Sequence, residues 1–181
     1  MPKLNSATEL ERLRQDILSK RDPNKPCIAI CAGTGCLALG CGKVITAFKE
    51  EVRKQGLEGK IDIRETGCPG FCENGTVVTI YPEGIFYIKV MSEDAAEIIS
   101  QTIIEKKVIE RLLYVDPATN EKVVHEKDVP FYKYQTRILI GSNSKLDPKS
   151  INDYIALGGY SALSKALFQM SPEQVQGRIQ A

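Results

Sequence analysis

The sequence predicts an α+β protein: a β-α-β-β-β-α core over residues 27–104, an N-terminal helix before it and a mostly helical C-terminal extension after it. Three observations carry that class. Short runs of strand character flank one long segment of helical period between Cys27 and Ile104. The helix-breaking Asp22-Pro23-Asn24-Lys25-Pro26 sets the N-terminal segment apart. Beyond Lys107 the pattern changes to turns and capped helices, and no internal repeat recurs.

Each element has its own signal. Ser6–Lys20 has the period of an amphipathic helix, with Leu10, Leu13, Ile17 and Leu18 on one face and Ser6 with Glu9 as a capping box. Cys27–Ile30 is a short apolar strand, and Ala32–Gly42 a loop of small residues. Val44–Gln55 reads as a helix that buries Val44, Ile45, Phe48 and Val52 and ends at Gly56 and Gly59. Ile61–Glu65 alternates apolar and charged residues, as a half-buried strand does. Thr66–Gly75 is a second glycine-rich loop. Thr76–Tyr81 and Ile85–Val90 are strands turned by Pro82-Glu83-Gly84. Ser92, beside Glu93 and Asp94, caps a helix to about Ile104. If the first two strands are parallel neighbours, the loops after them open at one end of the sheet.

In the extension, Val108–Tyr114 is apolar, Asp116–Asp128 polar and turn-like, and Thr136–Ile140 strand-like. Asp147-Pro148 reads as a helix start, Gly158-Gly159 as a break, Tyr160–Met170 as helix and Ser171-Pro172-Glu173-Gln174 as another capping box. The expected division is an N-terminal helix over 1–24, the core over 25–110, and a linker with the truncated start of a further domain over 111–181.

Hydrophobic residues are 43% and charged residues 26% of the 181, the make-up of a globular domain. A net charge of +1 provides no field toward nucleic acid or an anionic membrane. No apolar run reaches the ~20 residues of a membrane span, and Met1–Lys20 lacks the apolar stretch of an export signal. The expected location is therefore cytoplasmic, with no nucleic acid partner and no direct membrane insertion. Thiols stay reduced there, so clustered cysteines read as metal ligands or catalysts.

The chain has six cysteines and one histidine. Cys31-Ala32-Gly33-Thr34-Gly35-Cys36 and Cys68-Pro69-Gly70-Phe71-Cys72 put four thiols into two loops set with Gly33, Gly35, Gly40, Gly67 and Gly70. Missing Cβ atoms let backbone approach an inorganic centre and aim N–H groups at its sulfurs. With His125 alone, a Rieske centre and a two-Cys, two-His zinc finger are excluded. No Cys-x-x-Cys pair is present for a thioredoxin-type dithiol. Six cysteines are too few for two [4Fe–4S] clusters. A single [2Fe–2S] cluster, a single [4Fe–4S] cluster and a four-cysteine zinc ion remain, and spacing does not separate them. Cys27 and Cys41 read as packed spare residues; Cys41 is the better substitute ligand, because its distance from Cys36 repeats that between Cys31 and Cys36. His125 reads as a solvated loop residue and Phe131, Tyr132 and Tyr134 as packing.

Cys31-x4-Cys36 followed by Thr66-Gly67-Cys68-Pro69-Gly70-Phe71-Cys72, set in β-α-β-β-β-α, resembles the thioredoxin-like [2Fe–2S] ferredoxins. That resemblance implies a thioredoxin-like fold, a [2Fe–2S] cluster, and metal ligands at Cys31, Cys36, Cys68 and Cys72. Further on, Val129-Pro130-Phe131-Tyr132-Lys133-Tyr134-Gln135-Thr136-Arg137 and Ile151-Asn152-Asp153-Tyr154-Ile155-Ala156-Leu157-Gly158-Gly159-Tyr160-Ser161-Ala162-Leu163 resemble the opening of the FMN- and NADH-binding subunit of complex I-related dehydrogenases and NAD(P)-linked iron-only hydrogenases. This second resemblance implies an N-terminal fragment of such a subunit, with FMN and a [4Fe–4S] cluster only in the missing remainder. It implies as partners the other iron–sulfur and flavin subunits of a multi-subunit oxidoreductase, and it leaves a homodimer open. The resulting expectation is one-electron transfer, with no catalytic residue in this chain. The competing readings are a zinc-stabilised interaction module without redox activity and a thiol sensor using Cys27 or Cys41.

Overall fold

The computed structural model describes residues 4–180; the parts of the N- and C-terminal expectations that fall on positions 1–3 and 181 lie outside the described residues. Two compact units form, one from Pro23 to Pro148 and one from the described residues up to Asp22 with those from Lys149 on.

In the first unit, strand β1 (Cys27–Cys31) is buried along its whole length. It is one of two inner strands of a sheet in the order β2-β1-β3-β4, where β2 is Asp62–Thr66, β3 Val78–Tyr81 and β4 Ile85–Tyr87. A strand covered on both faces needs an unbroken apolar run, and Cys-Ile-Ala-Ile-Cys supplies it. β1 runs parallel to β2, with Cys31 beside Thr66, and antiparallel to β3. The segments leaving β1 and β2 therefore open at one sheet end. β3 and β4 form the expected hairpin, with Gly84 at φ +74° in the turn. Both strands are shorter than expected, because backbone pairing begins at Val78 and ends at Tyr87.

The loop expected over 32–42 contains a short helix α2 (Thr34–Ala38), and α3 runs Cys41–Lys54. α3 lays Cys41, Val44, Ile45, Phe48 and Val52 into the core, the spacing of one helical face. Gly56, at φ +64°, takes the left-handed position after its end.

Helix α4 (Asp94–Glu97) continues in wider turns over Ile98–Ile104. Its cap differs from expectation. The Asp94 carboxylate accepts from the Met91 backbone N–H at 2.8 Å, while the Ser92 hydroxyl turns to Glu93. Asp94 wins because Arg111, 2.7 Å away, neutralises a buried carboxylate at that point. Deeper in, the Tyr87 hydroxyl pairs with Thr102 at 2.7 Å and accepts from the Ile109 N–H at 3.0 Å, so the phenol is fully satisfied where it is buried.

The core does not stop at residue 110. Ile109, Leu112, Leu113, Val129 and Tyr132 are buried in the same cluster as the sheet. The polar stretch 116–128 turns back in a small hairpin that pairs β5 (Tyr114–Val115), just before it, with β6 (Lys122–Val123). The outer edge of β4 is taken by this extension: Phe86 N–H donates to Val124 O at 2.8 Å and Ile88 N–H to Leu112 O at 2.9 Å. His125 bridges to Ile85 there and is half-buried rather than solvated. Helix α5 (Pro130–Lys133) follows. The strand expected at Thr136–Ile140 is a turn, with Ile138 and Leu139 88% and 92% exposed. Strand propensity is realised only where the side chains pack, and those of Ile138 and Leu139 do not.

In the second unit, α1 (Ala7–Ser19) is capped by Ser6, whose hydroxyl accepts from the Glu9 N–H at 3.2 Å. The Glu9 carboxylate reaches Asn5 N–H instead of completing the box on Ser6. Ile17 packs with Ile155 and Ala156, with Leu10 and Leu13 beside them, whereas Leu18 is exposed. α6 (Ile151–Ala156) is capped by Ser150, not Asp147; a hydroxyl three residues before the Asp153 N–H has the needed reach. After Gly158, α7 (Ser161–Gln169) and α8 (Pro172–Gln180) follow, and Ser171 with Gln174 forms the expected reciprocal capping box. No helix among the described residues is long and apolar enough to cross a membrane.

Candidate metal centre

The two cysteine loops start side by side because β1 and β2 do. Ala32 N–H donates to Thr66 O at 2.9 Å and the buried Thr66 hydroxyl donates to Ile30 O at 3.2 Å, so the exits of the two strands are stitched together. Cys31 closes β1 and Cys36 lies on the short helix α2; both are buried. Cys68 is half-buried and Cys72 exposed. Their sulfurs are 3.5 Å apart.

Glycine makes the meeting of the loops possible. A Cβ on Gly33 would lie 2.7 Å from the Cys68 Cβ, and one on Gly35 would lie 3.1 Å from the Cys72 sulfur. From the other side, a Cβ on Gly75 would lie 3.0 Å from the Cys36 sulfur. Each loop thus fills the space left by missing side chains of the other, and both thiol pairs face one small volume. Cys27 and Cys41 are buried in the sheet and helix core instead.

The electrostatics describe a site short of positive charge. A hydrogen bond with Cys36, then burial and the neighbouring sulfurs, pushes the Cys31 thiol well above its ordinary range. The same hydrogen bond holds the Cys36 thiol below its ordinary range, against burial and with help from a Val77 backbone bond. Hydrogen bonding to Cys68, and that sulfur's charge, raises Cys72. Burial, then the Cys36 charge, raises Cys41. Four thiolates do not coexist here without cations between them. An iron core supplies that charge, and ligation deprotonates a coordinating thiol. Two sulfurs bonded at ~2.3 Å to one tetrahedral ion lie about 3.8 Å apart, near the 3.5 Å between Cys68 and Cys72. The donor set and its spacing fit a [2Fe–2S] core. Among the described residues, no group of three or more His, Cys, Asp or Glu side chains meets the geometry for a single ion.

Two residues without a spacing signal hold the second loop from outside. The Arg137 guanidinium donates to Pro69 O at 3.1 Å and the Asn143 amide to Cys68 O at 3.0 Å. Phe131 and Tyr132 pack as expected, Phe131 stacked on Phe71 with ring centres 4.9 Å apart, while Tyr134 is exposed. The apolar residues Phe131 and Tyr132 were a legible signal; nothing in the pattern of the chain marked Arg137 or Asn143.

Comparison with known proteins agrees with this chemistry. Residues 16–103 match the family model described as thioredoxin-like [2Fe-2S] ferredoxin. A 2Fe-2S ferredoxin of Clostridium pasteurianum is 32% identical over 77 residues, covering 42% of this chain and 76% of that protein. A 2Fe-2S ferredoxin of Aquifex aeolicus is 34% identical over 79 residues, covering 43% of this chain and 71% of that protein. A solved thioredoxin-like [2Fe-2S] ferredoxin from Aquifex aeolicus superposes with a TM-score of 0.46 at 29% identity, covering 48% of this chain and 87% of that one. The site and the relatives define an iron–sulfur electron-transfer protein. More particularly, the chain belongs to the thioredoxin-like [2Fe–2S] ferredoxins.

Proposed function

We propose that Cys31, Cys36, Cys68 and Cys72 hold the [2Fe–2S] cluster, and that the chain works as the N-terminal electron-transfer module of an NAD(P)H-linked flavin and iron–sulfur oxidoreductase. The observation that carries the ligand assignment is the interlocking of two cysteine loops at one end of the parallel β1–β2 pair. When bound, the cluster supplies a one-electron couple at a potential tuned by its surroundings. The protein's part is binding and tuning. Backbone groups of Gly33, Val77 and Gly70 bond to the sulfurs of Cys31, Cys36 and Cys68, and such bonds favour added negative charge. Buried Cys31 and Cys36 exclude water from one side, and exposed Cys72 leaves the other side open to a partner. Leu37 and Leu39, exposed beside the first loop, give that side an apolar rim.

The wider assignment rests on the likeness of residues 129–137 and 151–163 to the start of FMN- and NADH-binding subunits. On this reading the partners are flavin and iron–sulfur subunits in the cytoplasm, and FMN and a [4Fe–4S] cluster belong to other parts of that assembly. Reconstitution with iron and sulfide tests the first claim. About two of each per chain, with an EPR signal on one-electron reduction, is the expected result; a normal cluster after Cys68→Ser overturns the ligand set. Isolation of the native assembly tests the second, which fails if the particle carrying this chain holds no flavin.

A further inference from the structure

The Cys68–Cys72 loop is gripped by a segment outside the family-matched residues 16–103. Arg137 bonds Pro69 O, and Asn143 bonds Cys68 O. Phe131 stacks on Phe71, and Ile140 Cδ1 comes to 3.4 Å of where a Cβ on Gly70 would sit. Gly70 is at φ +93°, and Gly67 precedes Cys68, so glycines bracket the Cys68-Pro69 step on both sides. Arg137 is itself locked. Its guanidinium lies 4.3 Å over the Tyr132 ring and 3.9 Å from the Glu126 carboxylate, with most of the side chain buried. Immobilising a long charged side chain is costly, and here its hydrogen bond is spent on a carbonyl next to a thiol.

We propose that residues 131–143 form a strap whose positioning residues, Arg137 and Asn143, fix the Cys68–Cys72 loop and thereby set the solvent access of the half-buried Cys68 thiol. In the loaded protein they also set the reduction potential. Only this last effect rests on the ligand assignment above. A fixed cation beside the second loop favours the extra electron. Without it, the Glu126 carboxylate loses its nearby cation, so both changes lower the potential.

The test has two independent readouts. In metal-free protein, Arg137→Gln and Asn143→Ala each raise the alkylation rate of Cys68 several-fold, while buried Cys31 and Cys36 and the already exposed Cys72 keep the parent rates. In the iron-loaded protein, Arg137→Gln shifts the midpoint potential downward, and Arg137→Lys, which keeps the charge, stays nearer the parent. Unchanged alkylation in both variants overturns the strap, as does a uniform rise at all four thiols, which marks general loosening. An unchanged potential in a loaded Arg137→Gln protein overturns the electrostatic part. If the parent takes up no iron and sulfide, the ligand assignment falls, and the alkylation rates still decide the strap.

Discussion

Replacing Gly33 with alanine probes the closeness of the two loops without disturbing anything else. Gly33 has φ −65° and ψ 160°, extended backbone open to any residue. On backbone grounds alone, Gly33→Ala stabilises by about 0.4–1 kcal/mol, because the unfolded chain loses freedom. The structure predicts the opposite sign. The new Cβ would sit 2.7 Å from the Cys68 Cβ and 3.3 Å from its Cα. Carbons in good contact stand at ~3.5–4.0 Å, so the loops must part by about 1 Å. Overpacking of that kind costs about 1–3 kcal/mol, which leaves a net loss near 1 kcal/mol. For a chain of this size that is about 2–4 °C in Tm. The larger consequence is geometric, since parting the loops displaces one thiol pair from the other. Iron per chain after reconstitution should fall well below the parent value. Gly40→Ala is the control. Gly40 sits at φ +91° with nothing within 4 Å of a new Cβ, so it carries a backbone cost of about 1–2 kcal/mol and should keep a full cluster. Gly33→Ala with parental iron content and a Tm at or above the parent would refute the interlocked-loop reasoning.

Three further outcomes follow from other parts of the molecule. Cys27→Ser and Cys41→Ser should retain parental iron, whereas Cys31→Ser and Cys72→Ser should lose most of it; metal analysis after identical reconstitution separates the groups. Asp94→Ala should destabilise by about 1–3 kcal/mol, since it strips the buried partner of the Met91 N–H and Arg111. Asp94→Asn keeps an acceptor and should cost less in urea denaturation, so equal losses would count against the cap. Burial, and then the Glu126 charge, raises the phenols of Tyr81 and Tyr132 above the usual 10. The unfolded chain therefore releases these protons first, and the stability they lend is intact below about pH 10 and declines above it. A falling denaturation midpoint in that range, with delayed tyrosinate absorbance, is expected; complete ionisation near pH 10 in a protein that remains folded would contradict it.

The residues that wrote their structure into the sequence were those with local signals. Val44, Ile45, Phe48 and Val52 gave α3 its buried face, and the unbroken apolar run of β1 marked a covered strand. The thiols were visible because two short spacings in glycine-rich loops follow consecutive strands. What stayed hidden depended on contacts distant in sequence. Asp94 displaced Ser92 as a cap because of Arg111, which no local pattern announces. Thr136–Ile140 had strand-like residues, but Ile138 and Leu139 stay in solvent rather than packing in a sheet. Arg137 and Asn143 reach back some seventy residues to the second loop, 68 to Pro69 and 75 to Cys68, a relation set only by the closed fold.

The pairing of Val124 and Leu112 with the outer side of β4 bears on how this protein behaves when concentrated. A chain cut near residue 104 would retain all four candidate ligands yet leave a bare row of peptide groups along that side. It would also uncover the apolar surface beneath Ile109, Leu113 and Val129. Such a margin is a template for strand addition by another molecule. Shortening the polypeptide to the ferredoxin portion alone would therefore exchange a covered margin for an open one, and a greater tendency to associate is the expected result.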